Sequence, residues 1–332
     1  MSFFAILFAL LIEQVRPLAR HNPIHTGLRA WARWVSSNFD AGKSHHGWIC
    51  WVLAVLVPAA AAWAIHAALL FFLGWPFAMV WSVVVLYLTL GFRQFSHHFT
   101  SIRDALETAD EAQARELLAQ WQQVEASDLP RRELVRHVIE YSVLAAHRHV
   151  FGVLAWFSVL AALGMGPAGA VLYRMSEFVI RYWPHRSLRE TQPVSPALQT
   201  ASVRAWHAID WVPARLTAIA FAVVGSFEEA IDCWRHHAQR FPNDNDGVVL
   251  AATSGAVNVR LGGEALRSAY ASPAAQALHA PAPPSATGED SESTPGREAE
   301  VGHLRSVVGL VWRSVVLWMV LLALLTMARL LG

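Results

Sequence analysis

The sequence carries little charge. Only 15% of its 332 residues are Asp, Glu, Lys or Arg, whereas 55% are hydrophobic. Soluble domains usually carry about 25% charged residues, so this composition argues against a water-soluble globular protein. The formal net charge is +1 and no polybasic patch stands out, which gives no reason to expect nucleic acid as a partner.

Motifs for covalent catalysis and metal binding are also scarce. The two cysteines, Cys50 and Cys233, lie in very different surroundings, which argues against a disulfide framework and a cysteine metal site. The sequence has no Gly-rich phosphate loop and no nucleophile elbow. Many of its 16 histidines stand side by side, whereas metal ligands on a helix need a spacing of three or four residues. We therefore predict no metal site and no resident cofactor.

Apolar runs of helical length are abundant instead. The segment Trp48–Leu73 contains no Asp, Glu, Lys or Arg and exceeds the roughly 20 helical residues that a bilayer core requires. After a turn, Phe77–Phe92 is expected to return across the bilayer, and Val307–Leu331 is expected to form a last spanning helix. The N-terminal run Ser2–Ile12 is too short to span. It has no basic residues before it, which argues against a cleaved signal peptide.

Two further apolar stretches are interrupted. The segment Val150–Tyr173 contains Gly164–Gly169, a break rich in glycine that a straight helix disfavours. Basic residues follow it, so we favour a re-entrant pair of short helices over the alternative of a single crossing. The run Trp211–Gly225 is short and carries Arg215. Irregular backbone at membrane depth must be buried in protein or line a polar cavity.

Polar stretches are expected outside the bilayer. The segment Asp104–Glu125 has apolar residues at helical spacing and charges on the other face, which predicts an amphipathic helix. Asp128 followed by Pro130 is typical of the start of another helix. The segment Ser272–Glu300 is rich in Ala, Pro, Ser and Glu, a composition that predicts a disordered linker.

These segments predict an all-α, polytopic integral membrane protein with about four to five membrane helices, some broken or re-entrant, and cytoplasmic amphipathic helices. We divide the chain into an N-terminal apolar helix and basic loop (1–47), a transmembrane hairpin (48–93), cytoplasmic amphipathic helices (94–149), a membrane core with re-entrant segments (150–271), a disordered linker (272–303) and a C-terminal transmembrane helix (304–332). The expected location is the bacterial inner membrane, with the lipid bilayer as partner. The oligomeric state stays open.

A polar pocket is expected at the broken helices. A charge at membrane depth usually faces a cavity or a partner, which singles out Arg215. The turn Pro242–Gly247 brings amides and carboxylates together, including Asn243 and Asn245. Turns rich in oxygen can bind a cation or a polar ligand, and a simple turn is the alternative. With Arg260, these side chains would line the pocket.

Four motifs, in order along the chain, resemble those of a known family. Trp211–Thr217 is similar to Trp-Ile-Pro-Ala-Arg-Leu-Thr, and Gly166–Arg174 is similar to Pro-Gly-Ala-x-x-Tyr-Lys/Arg. Leu106–Leu118 resembles a Gly-Asp-x-x-x-Ala-Arg-x-x-Leu helix, and Pro242–Gly263 resembles a segment that ends in Val-Arg-Leu-Gly-Gly. Residues 50–265 thus resemble the CobD/CbiB family, the membrane adenosylcobinamide-phosphate synthases of cobalamin biosynthesis. They also resemble AmpE, a membrane relative linked to β-lactamase regulation.

Several acidic residues of the family's pattern are missing here. The family's Glu-Asn-x-x-Asp-Gly run falls on residues 140–152, where neither register restores both acids and the amide. Its Asn-Thr-Leu-Asp falls on Glu177–Ile180, and its paired aspartates fall on Trp206 and His207, which leaves Asp210 as the acid nearby. These are the groups that metal binding and base catalysis would use.

The resemblance and the expected pocket together give eight candidate ligand-binding residues: Glu140, Asp210, Trp211, Pro213, Arg215, Asn243, Asn245 and Arg260. The leading prediction is a divergent, AmpE-like family member that lacks the full set of catalytic acids and acts in metabolite binding or envelope signalling. No catalytic residue is assigned. The expected ligand is a corrinoid or another small metabolite.

Two alternatives stay open. One is an adenosylcobinamide-phosphate synthase, which attaches an aminopropanol group to adenosylcobyric acid by amide formation. In that case Glu140, Asp210 and Asp244 would substitute for the missing acids, and Mg²⁺ would be a cofactor. The other is a transporter, which broken helices at the bilayer midplane would allow, although the sequence shows no internal repeat.

Overall fold

The computed structural model describes residues 2–15, 23–122, 126, 129–189, 194–263 and 293–331. The α-helices of this part of the chain are α1 (Ser2–Val15), α2 (Pro23–Phe39), α3 (Ser44–Phe72), α4 (Trp75–Thr89), α5 (Phe92–Glu107), α6 (Glu111–Gln122), α7 (Arg131–Ala146), α8 (Gly152–Ala162), α9 (Ala168–Arg189), α10 (Pro196–Val224), α11 (Phe227–His237), α12 (Asp244–Val257) and α13 (Val301–Leu331). A π-helical turn, His147–Phe151, joins α7 to α8, and a 3-10 turn, Ala238–Arg240, follows α11. The predicted all-α class is confirmed.

Four helical segments are long and apolar enough to cross a membrane: Ser44–Phe72, Arg131–Ala162, Pro196–Val224 and Val301–Ala328. The shorter apolar helices are Phe3–Val15 and Trp75–Thr89. Large apolar side chains on these segments are exposed, such as Phe71 at 82% and Leu325 at 62%. Such exposure is unfavourable in water and is expected for side chains that face lipid. The chain is therefore a multi-pass membrane protein, as predicted.

Two of these segments are longer than the sequence indicated. The run Trp211–Gly225 is only the second half of α10, because polar residues interrupt the apolar pattern of its first half. One of them, Asp210, is fully buried inside the protein. Similarly, the helix that contains α8 begins at Arg131 and runs through the π-helical turn, so it has 32 residues. The predicted break is present as the non-helical stretch between Ala162 and Ala168.

The chain forms two compact units. The first unit contains residues 1–93, 148–213 and 319–332. Helices α2, α3, α9 and α10 contribute to its apolar core, which includes the fully buried Trp183 and Val179. Helices α8 and α9 pack closely at two glycines. A Cβ atom on Gly152 would overlap the Tyr173 ring, and one on Gly169 would overlap the Trp156 carbonyl group.

The second unit contains residues 94–147 and 214–318. Helix α12 is its most buried element, and α11 packs against it. A Cβ atom on Gly255 would overlap the carbonyl group of Glu229, so the two helices can approach this closely only with glycine there. After α12, Asn258 adopts a left-handed conformation (φ 52°) and ends the helix.

Part of the predicted linker 272–303 has a defined conformation. Residues 293–300 lead into α13, and they pair with the segment after α12 through the bridges Val259–Arg297 and Gly262–Ser293. The earlier part of that linker, and the helix cap predicted at Asp128, lie outside the described residues.

Candidate functional site

Two of the predicted pocket residues are in direct contact in the second unit. The Arg215 guanidinium Nη1 donates to Asn245 Oδ1 at 3.2 Å. Asn245 is only 1% exposed, and Arg215 is partly buried on α10. Guanidinium groups bind carboxylate and phosphate oxygens, so Arg215 beside the Asn245 amide is a candidate for binding an anionic or amide-bearing ligand.

The polar turn next to this contact is the N-terminus of α12. The Asn243 side-chain oxygen accepts a hydrogen bond from the Asn245 amide at 3.3 Å, which is a helix cap. The Asn243 Nδ2 atom donates to Asp246 Oδ2 at 3.0 Å. The amides and carboxylates that the sequence singled out therefore hydrogen-bond to one another, and they hold the helix end that carries Asn245.

Glu140 is the centre of a second polar cluster in the same unit. Its Oε1 atom accepts from Arg136 Nη1 at 2.9 Å and from the amide of Gly262 at 2.8 Å. Arg136 is 6% exposed and also pairs with Glu133 at 2.7 Å. Its Nη2 atom donates to His137 Nε2 at 2.9 Å. Because arginine cannot accept a hydrogen bond, Nε2 must be the acceptor, and the Nδ1 proton then points to Glu140 Oε2 at 3.4 Å.

A buried hydroxyl group supports the backbone that reaches Glu140. Thr294 is 1% exposed, and its Oγ1 atom accepts from Ser254 Oγ at 2.6 Å and from the amide of Leu261 at 2.9 Å. The amide of Thr294 donates to the carbonyl oxygen of Leu261 at 2.7 Å. Arg260 forms a further backbone bond, in which its amide donates to the carbonyl oxygen of Arg297 at 2.7 Å. Residues 293–297 thus hold the segment whose Gly262 amide meets Glu140.

The remaining candidate residues, Asp210, Trp211 and Pro213, belong to the first unit. Asp210 is fully buried and its Oδ1 atom accepts from the hydroxyl group of Tyr173 at 2.7 Å. Burial, followed by the nearby Asp210 carboxylate, raises the pKa of Tyr173 well above its usual value, so this hydroxyl stays protonated as a donor. Trp211 is 47% exposed, whereas Pro213 is buried within α10.

The first unit also contains an ion cluster that the sequence did not single out as a site. Glu177 on α9 is 1% exposed and lies 2.8 Å from Arg174 Nη1 and 2.5 Å from Arg181 Nε. Burial alone would raise the pKa of this carboxyl, but Arg181 and Arg174 outweigh burial and lower the pKa to about 2. Glu177 is therefore an anion at every physiological pH.

Sequence reasoning could have found some of these partners but not others. Arg136 stands four residues before Glu140, and Arg174 three residues before Glu177, so both ion pairs follow from helical spacing. Thr294 carries no comparable signal, because its partners are more than thirty residues away along the chain. Gly262 is likewise separated from Glu140 by 122 residues.

The arrangement of the acids bears on Mg²⁺ binding. Among the described residues, no group of three or more His, Cys, Asp or Glu side chains could hold a metal ion. Glu140 and Glu177 are instead bound by arginines, and Asp210 by a tyrosine hydroxyl. Mg²⁺ prefers carboxylates that are free to complete an octahedral shell, so these three side chains do not fit a magnesium site as arranged.

Comparisons with known proteins agree on one family. The family described as CobD/Cbib protein matches residues 3–291. The chain is 30% identical over 324 residues, 96% of either chain, to the cobalamin biosynthesis protein CobD of Stutzerimonas stutzeri (strain A1501). It is 32% identical over 183 residues, 55% of either chain, to the protein of the same name from Chromobacterium violaceum. Over 62 residues, 16% of this chain and 20% of the relative, it is 48% identical to that from Mycobacterium tuberculosis.

No solved structure matches the chain. The family match nevertheless covers most of the sequence, and the similarity to the Stutzerimonas relative extends over nearly the full length of both chains. The chain belongs to the CobD/Cbib family of cobalamin biosynthesis proteins.

Proposed function

We propose that this protein is a divergent, AmpE-like member of its family in the bacterial inner membrane, and that it acts in metabolite binding or envelope signalling rather than in amide formation. The observation that carries this proposal is that three largely buried acids already have partners within the protein. Glu140 and Glu177 are neutralised by arginines, and Asp210 accepts a hydrogen bond from Tyr173.

Amide formation needs a base that removes a proton from an ammonium group, and an efficient base has a pKa near the working pH. Glu177, with a pKa of about 2, is far too weak a base for that task. The reaction also needs Mg²⁺ or positive groups to stabilise phosphate oxygens. Glu140, Glu177 and Asp210 are held by other side chains and do not fit a magnesium site, so this support would have to come from arginines.

The proposed binding residues are Arg215 and Asn245, which are in contact. Asn243, which caps the helix of Asn245, and Arg260 belong to the same unit and are proposed as further ligand contacts. Guanidinium groups bind carboxylates and phosphates, and a buried amide gives direction to the contact. Corrinoids and their phosphorylated precursors carry amide, carboxylate or phosphate groups. We therefore propose a small anionic or amide-bearing metabolite, such as a corrinoid, as the ligand.

The second candidate function is adenosylcobinamide-phosphate synthase. It is favoured by the similarity to the Stutzerimonas relative, which covers 96% of both chains and carries the name cobalamin biosynthesis protein. In this case Glu140, Asp210 and Asp244 would replace the family's acids, and Mg²⁺ would be needed. A synthase would have to release Glu140 from Arg136 before that carboxylate could bind a metal or a proton.

Complementation separates the two candidates. A bacterial strain that lacks its cobinamide synthase is grown where vitamin B12 must be made from cobyric acid, with the Stutzerimonas relative as the positive control. We expect no growth with this chain, although immunoblotting detects it in the membrane fraction. Growth that is lost in Arg215→Ala or Glu140→Ala would instead establish a synthase and overturn the proposal.

A binding measurement tests the ligand. The purified protein in detergent is dialysed against cobyric acid and cobinamide, whose visible absorbance reports the bound fraction. We expect retention by the natural chain and a loss of about tenfold in affinity in Arg215→Ala, because a charged hydrogen bond contributes about 1.5–3 kcal/mol. Arg235→Ala, which removes an exposed arginine on α11, is the matched control.

A further inference from the structure

Helix α2 presents three different stripes along its length. The first faces the core of the first unit, where Ala32 and Val35 are fully buried. The second is aromatic and apolar. It includes Ile24, which is 44% exposed, and Trp34, which is 49% exposed and stacks on Trp31 with ring centroids 5.3 Å apart. A second large apolar stripe outside the core needs an apolar environment of its own.

The third stripe is basic. Arg29 and Arg33 are exposed one helical turn apart, and Lys43 is exposed in the connection to α3. Residues 23–43 contain a single acidic residue, Asp40. The Asp40 carboxylate accepts hydrogen bonds from the amide of Ser195 at 2.9 Å and from its hydroxyl group at 2.6 Å. The basic stripe therefore carries a net positive charge next to the aromatic one.

Contacts within the first unit hold α2 against α9 and the start of α10. The indole Nε1 of Trp183 donates to the carbonyl oxygen of Ala32 at 3.3 Å, and Asp40 holds Ser195 at the start of α10. Helix α3 begins at Ser44, and no Asp, Glu, Lys or Arg follows until Arg93. Because α3 is apolar enough to cross a membrane from its first turns onward, an α2 that is held beside the start of α3 would lie near the membrane interface.

We propose that α2 is an interfacial helix that binds anionic phospholipid headgroups through Arg29, Arg33 and Lys43, with Trp34 inserted at the boundary between headgroups and acyl chains. Tryptophan collects at this boundary, where its ring is apolar and its N–H group can reach water or a carbonyl group. Lysine and arginine next to it are attracted by the negative surface of the membrane.

A lipid surface explains the two outward stripes better than a protein partner does. The helix has 17 residues, which corresponds to about 25 Å, and it exposes both apolar side chains, Ile24 and Trp34, and basic ones, Arg29 and Arg33. An interfacial helix needs this combination, because one stripe meets acyl chains while the neighbouring one meets phosphates. The connection from α2 to α3 is only four residues long, which keeps α2 close to the bilayer.

A depth measurement tests the position of α2 in the full-length protein. Cys50 and Cys233 are buried and would be replaced by alanine, and spin labels would be attached at Trp34→Cys, Arg29→Cys and, as an aqueous control, Arg235→Cys. In phosphatidylcholine–phosphatidylglycerol vesicles we expect the label at position 34 to be accessible to oxygen and shielded from a water-soluble nickel complex, about 5–10 Å below the headgroups. A label at position 34 as accessible to nickel as that at position 235 would overturn the proposal.

A lipid titration tests the preference for anionic headgroups. The thermal stability of the detergent-solubilised protein is followed as phosphatidylglycerol or phosphatidylcholine is added. We expect phosphatidylglycerol to stabilise the natural chain at lower concentration, and each of Arg29→Gln, Arg33→Gln and Lys43→Gln to raise the half-effective concentration about fivefold. The double variant Arg132→Gln/Arg235→Gln, which removes exposed arginines elsewhere, should behave like the natural chain. An equal response to both lipids, or an equal effect of the control, would contradict anionic lipid binding by this helix.

Discussion

Glu177, which is buried, and Glu140, which is partly buried, both pair with arginines but are held in different ways. Glu177 is bound by Arg174 and Arg181, which lie three residues before it and four after it on the same helix. Glu140 is bound by Arg136 on its own helix and also by the amide of Gly262, far away in the sequence. The two arginines that pair with the first carboxylate lie on its own helix, whereas the second carboxylate also ties its helix to a distant backbone segment.

The largest expected loss of stability comes from a substitution in the Glu177 cluster, which consists of Glu177, Arg174 and Arg181. Glu177→Gln leaves Arg174, whose side chain is 17% exposed, without its counter-charge. Removing one partner of a buried ion pair is strongly destabilising, and Arg181 can turn to water because its side chain is 55% exposed. We therefore expect a loss of about 3 kcal/mol in the free energy of unfolding, at the lower end for such changes.

Unfolding in detergent, followed by circular dichroism, measures this loss. The matched control is Glu116→Gln, which removes an exposed glutamate on α6 and should change stability by less than about 0.5 kcal/mol. If Glu177→Gln were as mild as the control, the buried pair would contribute nothing and the comparison with Glu140 would fail.

The pH dependence of the same variant sharpens the assignment. The pKa of Glu177 is about 2 in the folded protein, below its ordinary value of 4.5. A lowered carboxyl pKa gives stability that is fully present above about pH 4.5 and is lost as the pH falls toward 2. The stability difference between the natural chain and Glu177→Gln should therefore shrink across this range. A difference that stays constant with pH would show that packing, and not charge, causes the loss.

The cluster of Glu140, Arg136 and Gly262 should lose different amounts of stability in two substitutions of Glu140. Glu140→Gln keeps an oxygen that can accept from the Gly262 amide, and Arg136 keeps its bond to Glu133. We expect it to cost about 1 kcal/mol, whereas Glu140→Ala should cost about 2 kcal/mol because it also removes the acceptor for Gly262.

Amide hydrogen exchange provides the decisive measurement for this pair. Only Glu140→Ala should speed exchange at Gly262, and neither variant should alter the titration of Glu177. Equal exchange at Gly262 in Glu140→Gln and Glu140→Ala would contradict the hydrogen bond as the cause.

The difference between contacts within one helix and contacts between distant segments also explains which features the sequence could predict. The spanning run that begins at Trp48, the break after Ala162 and the polar turn at Asn243 follow from local composition and spacing. The structure has a helix, a non-helical stretch and a helix N-terminus at these three places. The first half of α10 was not predicted as part of a spanning helix, because Asp210 makes it look polar. That side chain instead faces the hydroxyl group of Tyr173 inside the protein.

The candidate site was predictable only in part, because some of its contacts join segments that are far apart in the sequence. The spacing of residues on a helix indicates the pair Arg136–Glu140, and a family resemblance points to Arg215. Neither kind of signal indicates that Arg215 meets Asn245 or that Glu140 meets Gly262, because such contacts depend on how distant segments pack. Hydropathy patterns contain no information on these pairings.

The smallest effect concerns Thr294, which supports the backbone next to Gly262. Thr294→Val removes a hydroxyl group that accepts from Ser254 and from the amide of Leu261. The buried Leu261 amide then has no side-chain acceptor, whereas the Ser254 hydroxyl can still donate to the carbonyl oxygen of Val259. We expect a loss of about 1–2 kcal/mol and faster amide exchange at Leu261 and Gly262. Thr294→Ser keeps the hydroxyl group and should restore slow exchange. Since neither Thr294 nor its partners are among the charged groups that lower the pKa of Glu177, the titration of Glu177 should be the same in both variants. If Thr294→Val left exchange at Gly262 unchanged, Glu140 alone would hold that segment, and residues 293–297 would serve only to lead into α13.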